Sequence, residues 1–177
     1  MSTQISAGGR VDHPPNSPAF DVVLLLHVAA VVVGLGAVVV SGIQAARLYS
    51  IAKSGHGARV AEVPASVREY FAPGVNWVGR VLYAVPVFGF ALLGLSRGRF
   101  GVDQPWVLAG LALWAAATGV AEWLHWPAER RIQVLLGGDG EEHRWAEVGR
   151  TCRAVCVTAT GLVVLLLAAI VLMVSRP

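Results

Sequence analysis

Four stretches of this chain run apolar for about twenty residues each, with polar segments between them. They cover residues 22–46, 75–96, 105–126 and 154–175. The first and the last hold no charged residue; Arg80 interrupts the second, and Glu122 lies near the end of the third. A helix crosses the hydrocarbon core of a bilayer with about 20 such residues. The pattern therefore predicts an all-α integral membrane four-helix bundle, antiparallel and up-down. One such stretch is compatible with the core of a water-soluble fold; four in 177 residues are not, and the remainder leaves no room for a soluble domain of useful size.

The segments between the spans predict smaller features. The connection RGRFGVDQ is short, so spans two and three are expected to form a tight antiparallel hairpin. In VPASVREYF, Pro64 and Ser66 predict the start of a short surface helix. AERRIQVLL predicts that the third helix continues beyond the membrane until GGDG ends it, and Asp139 with Glu142 resembles a capping box for the fourth. Residues 1–20 are polar, carry Pro14 and Pro15, and are expected as a disordered tail with no pattern of a cleavable signal peptide.

Charge adds orientation. Segment 47–74 carries Arg47, Lys53, Arg59 and Arg68, and segment 127–153 carries Arg130, Arg131, Arg144, Arg150 and Arg153. The tails and the middle connection carry only Arg10, Arg97, Arg99 and Arg176. Lys and Arg accumulate on the cytoplasmic side, so both long loops are expected in the cytoplasm and both termini outside. Trp77, Trp106, Trp123 and Trp126 stand near the expected boundaries, where aromatic belts form. Of the 14 basic residues all but Lys53 are Arg, a coding bias of GC-rich bacterial genomes, and the expected location is the bacterial cytoplasmic (inner) membrane. Charged residues make up 14% of the chain, against about 25% in soluble domains. The partner this implies is the lipid bilayer. No basic tract with interleaved aromatics is present, which excludes nucleic acid.

The first span also predicts a packing face. Steps of three and four from His27 meet Ala30, Gly34, Ala37, Ser41 and Gln44, all small or polar, whereas the rest of the span is mostly Val and Leu. Small residues mark helix contacts in membranes, because lipid gives apolar bulk no reason to hide. His27 thus heads a stripe directed into the bundle, about 7 Å inside the outer boundary at 1.5 Å per residue. A second polar cluster lies near the opposite boundary. Thr118, Glu122 and His125 share one helical face of span three, and Asn76, Arg80 and Tyr83 share one of span two. Arg80 and Glu122 lie at matching depths and are expected to pair, since ionisable groups in a membrane find partners, mark a functional path, or snorkel to the surface.

Several uses of His27 are open on this reading. As a structural group it hydrogen-bonds a neighbouring helix and fixes register. As an axial ligand it holds haem b, with Met173 near the same level as second ligand or with none. His125 is excluded as that second ligand, because it lies near the other side of a roughly 30 Å core. Metal transport lacks a ladder of ligands. Cys152 and Cys156 stand one turn apart, where a disulfide is disfavoured and small packing residues are expected. No GxSxG, no HExxH and no paired carboxylates inside the spans point to a hydrolase.

LLLHVAAVVVGLG in span one, PWVLAGLALW in span three and IVLMVSRP at the C-terminus together resemble a bacterial family of four-span predicted integral membrane proteins, domain-of-unknown-function family 2269. The resemblance runs over residues 20–177. It implies a four-span fold and carries no established activity. More remotely, the inward His27 resembles that of copper-resistance membrane proteins and of the haem-type membrane protoporphyrinogen oxidase. The outer halves of spans two to four, with Phe88, Phe90, Leu92, Leu108 and Leu172, lack the polar residues such an oxidase would place around its haem. The function expected is therefore that of a non-enzymatic accessory or scaffold subunit, packing with a larger membrane complex or with itself. The alternative is a b-type haem protein with a redox or haem-biosynthetic role.

Overall fold

The computed structural model describes residues 17–54, 63–96, 99–138 and 142–175, and every regular element among them is helical. Three helices are long and apolar enough to cross a membrane, as in a membrane protein: Pro18–Lys53, Pro105–Gly137 and Arg144–Ser175. The segment expected as the second span is shorter, with an apolar helical part of Gly79–Leu95. The tail up to residue 16, Asp139 of the expected capping box and residues 55–62 of the first loop lie outside the described residues.

Helix α1 (Pro18–Lys53) starts earlier than the hydrophobic run does. Ser17 caps it by accepting the Phe20 N–H on Oγ, and Pro18 fits the first turn, where no N–H is required. Residues 18–20, expected in the disordered tail, are thus helical, and Phe20 is buried. The buried seam of α1 runs through Ala30, Gly34, Val38, Ser41, Ala45 and Leu48. It shares Ala30, Gly34 and Ser41 with the expected stripe, whereas His27, Ala37 and Gln44 are only half-buried at its flank. From Ala30 to Leu48 the seam advances 18 residues in five steps, the 3.6-residue period of a straight helix. The tighter spacing expected would have required a supercoiled helix.

A 3₁₀ turn (Gly79–Tyr83) leads into α3 (Ala84–Leu95). Pro86 sits in the first turn of α3 and cannot donate to the carbonyl four residues back, that of Leu82. The Trp114 indole N–H reaches that carbonyl at 3.0 Å. Helix α4 (Pro105–Val120) runs through a π turn (Ala121–His125) into α5 (Trp126–Gly137). Pro127 explains the turn: in a regular helix its ring meets the carbonyl of Trp123, and the wider turn avoids that clash. Helix α6 is Glu142–Ser175.

Helix α1 lies along α6, α3 packs on α1, and α4 packs on α6. The two helices joined by the short connection therefore take different main partners, in place of the hairpin expected. Two glycines account for this. Gly34 leaves a hollow on α1 that Leu82 fills, and Gly110 leaves one on α4 that Met173 of α6 fills.

The polar segments read as loops contribute a core of their own. The end of α1, the short α2 (Ala65–Tyr70), α5 and the start of α6 enclose Leu48, Val63, Val67, Phe71, Ile132, Val148 and Val155. Segment 63–71 is apolar every fourth residue, and that period seats the expected short surface helix against the bundle through Val67, with Ala65, Ser66, Arg68 and Glu69 left exposed. A second core, around Val38, Leu82, Ala117, Trp126, Leu162 and Leu166, lies among the apolar helices.

Candidate functional site

Between the two cores, side chains from five segments meet around one carboxylate. Glu129 of α5 is 6% exposed. Its Oε1 accepts from the Ser41 hydroxyl of α1 and, at 3.1 Å, from the Tyr70 hydroxyl of α2. His125 Nε2 lies 3.7 Å from the same oxygen, one helical turn back. The other nitrogen of that ring, Nδ1, is 2.9 Å from Thr158 Oγ1 on α6. Asn76 extends the chain of contacts outward: its amide donates to Tyr70 Oη at 3.1 Å, and its Oδ1 accepts the Gly79 N–H at 3.3 Å. A buried carboxylate costs free energy unless it is hydrogen-bonded, and the Ser41 and Tyr70 hydroxyls supply those bonds. Tyr70, which lies outside the apolar helices, is held protonated well above the ordinary tyrosine range. Burial is the main cause and the Glu129 charge adds to it.

The π turn divides the polar residues of the third span. Glu122 and His125 were expected on one face. The wide turn instead directs His125 inward to Thr158, while Glu122 pairs with Arg80 at 3.2 Å on the half-exposed side. Arg80 also lies over the Trp126 ring, 3.9 Å from its centre. Its charge is thus held by a carboxylate and an aromatic face together. Thr118, the third member of that face, has a buried hydroxyl without a partner.

His27 is apart from this junction. Its Nδ1 is 3.0 Å from the Val85 carbonyl of α3, and its ring edge lies over Gly89. Met173 lies over Gly110 of α4. The two candidate haem ligands are thus turned to different helices, His27 to α3 and Met173 to α4. Cys152 is buried, and Cys156 is half-buried with its Sγ 3.7 Å from the Gly42 carbonyl. Among the described residues no group of three or more His, Cys, Asp or Glu is placed to hold a metal ion.

Glu129 and Tyr70 were missed as site residues because they lie in segments read as loops, whereas Asn76 was already expected in the polar cluster of span two. One signal was available: His125 and Glu129 are four residues apart on a single helix, the spacing of a facing pair.

Beside the junction is an open groove of about 660 Å³ between α1 and the segment that follows α2. Tyr70 and Asn76 belong to both the junction and its wall. No family model, curated protein or solved structure matches the chain.

Proposed function

We propose that this chain is a four-span protein of the bacterial inner membrane, with its termini outside and its two Arg-rich segments in the cytoplasm. It belongs, on this reading, with the four-span family that its motifs resemble. It serves as a non-enzymatic accessory or scaffold subunit, packing with a larger membrane complex or with itself. The observation that carries the reading is where the polar side chains are used. His27 reaches α3, Arg80 reaches Glu122, His125 reaches α6, and Glu129 collects α1 and α2. Each contact crosses between elements, so these groups set register and hold the bundle in one arrangement. Helix α3 supports the partner half of the reading: none of its residues is fully buried, and Val87 and Phe90 face outward. Gentle solubilisation of native membranes followed by co-purification tests this. A partner or a self-associated form is expected; a chain that migrates alone as a monomer refutes it.

One observation favours a second reading, a b-type haem protein. The contact of His27 Nδ1 with a carbonyl fixes the tautomer that leaves Nε2 with its lone pair, the arrangement that orients ligand histidines. A visible spectrum before and after dithionite decides it. A Soret band lost in His27→Ala supports it, and its absence from folded protein grown with ample haem ends it.

A further inference from the structure

The groove beside the polar junction has two unlike walls. Val33, Gly36, Ala37 and Val40 of α1 form the apolar one, at positions that share a helical face. Glu69, Tyr70, Asn76 and Gln133 supply the polar groups at the opposite side. Volumes of this size accommodate small-molecule ligands, and the division of polarity suits an amphiphile. Gly36 contributes open space, since a Cβ placed there meets nothing within 4 Å.

The polar wall is already fixed. Asn76 holds Tyr70, which is anchored on buried Glu129, and the Gln133 amide donates to the Gly74 carbonyl at 3.3 Å. Each of these two amides uses one N–H in that contact and carries a second. The charge of the groove is one-sided: among the described residues that line it, Glu69 is the only carboxylate and none is Lys or Arg. A carboxylate with no described Lys or Arg beside it on the groove wall favours an ammonium and repels an anionic head. Two amide N–H donors suit phosphodiester oxygens.

We propose that this groove is a lipid site, with one acyl chain of a bilayer phospholipid along Val33–Val40 and its ammonium-bearing zwitterionic head between Glu69 and the amides of Asn76 and Gln133. The site rests on the membrane reading above and is independent of the accessory-subunit reading. The test is native mass spectrometry of the full chain, extracted from membranes and exchanged into mixed micelles holding equal amounts of phosphatidylethanolamine and phosphatidylglycerol. Wild type is expected to retain phosphatidylethanolamine about two- to fivefold over phosphatidylglycerol, the ratio that one solvent-accessible ion pair supplies. Gly36→Leu fills the apolar wall and is expected to lower retention of both lipids with helix content unchanged. Glu69→Gln is expected to remove the preference and keep retention. Equal retention of the two lipids by wild type overturns the head-group assignment, as does co-purification of a neutral amphiphile in place of phospholipid. Retention unaffected by Gly36→Leu overturns the location. Recovery of the chain in the soluble fraction overturns the site together with the membrane reading, whereas a membrane-extracted chain without lipid preference overturns the site alone.

Discussion

The Glu129 junction makes an uneven demand on one side chain. Both hydroxyl donors, Ser41 and Tyr70, use the same oxygen, Oε1, and His125 Nε2 approaches it too. Glu129→Gln can keep a carbonyl oxygen in that position, so it retains both acceptor contacts and loses the charge. A hydrogen bond to a charged group contributes about 1.5–3 kcal/mol and one between neutral groups about 0.5–1.5, so with two such bonds weakened by about 1 kcal/mol each Gln should cost about 2 kcal/mol. Glu129→Ala removes the oxygen itself. It leaves the Ser41 hydroxyl, 1% exposed, without an acceptor, and it strips a partner from Tyr70 and from buried His125. At about 1–3 kcal/mol for each buried polar group left unpaired, the expected loss is roughly 3–5 kcal/mol. Thermal unfolding in detergent, followed by circular dichroism, reads the difference. At about 2–4 °C per kcal/mol for a chain of this size, Ala should lower Tm by roughly 6–20 °C and Gln by a few degrees. Tyr70→Phe supplies the control: it should cost about 1.5–3 kcal/mol in wild type and clearly less on the Ala background, where the acceptor is already gone and only the Asn76 contact remains to be lost. If Gln is as damaging as Ala, or if the Tyr70 and Glu129 effects add, Oε1 is not the shared acceptor and the reasoning fails.

Three further perturbations test other parts of the structure. A Cβ at Gly34 would lie 2.7 Å from Leu82 Cδ2, whereas one at Gly36 has open space; Gly34→Ala should destabilise by about 1 kcal/mol net of helix propensity and Gly36→Ala should stabilise by up to about 1, both read as Tm. Trp114→Phe removes the donor to the Leu82 carbonyl and should cost about 1–3 kcal/mol, while Pro86→Ala supplies a helical N–H to that carbonyl; a double variant no more stable than Trp114→Phe alone rejects this account. The Tyr70 proton is held more tightly in the folded chain than in the unfolded one. Its contribution is therefore fully present below the ordinary tyrosine value of about 10 and is lost as pH rises above that; an alkaline melting series should fall less steeply in Tyr70→Phe, and identical slopes would exclude Tyr70 as the cause.

What could be read in the sequence divides by length scale. Apolar runs longer than a turn-based core helix requires mark α1, α4 and α6 directly, because bilayer thickness sets a minimum that composition alone reveals. Arg80 and Glu122 could be matched by depth, since rise per residue converts sequence position into height. Three things escaped this arithmetic. The seam of α1 follows Val38 and Ala45 instead of Ala37 and Gln44, because its phase depends on the partner helix, and Leu82 seated over Gly34 sets it. The π turn separates Glu122 from His125, although both sit at face-sharing spacing, because Pro127 changes the local period. The Glu129 junction draws on segments more than fifty residues apart, and its members look like solvated loop residues until α2 is folded against the bundle. That last step is hydrophobic: Val63, Val67 and Phe71 drive α2 into the core, and Tyr70 is carried with them onto the carboxylate. The polar site is thus positioned by apolar neighbours. A change at Val67 should loosen Tyr70 from Glu129 even though Val67 supplies no polar group to the junction and does not line the groove.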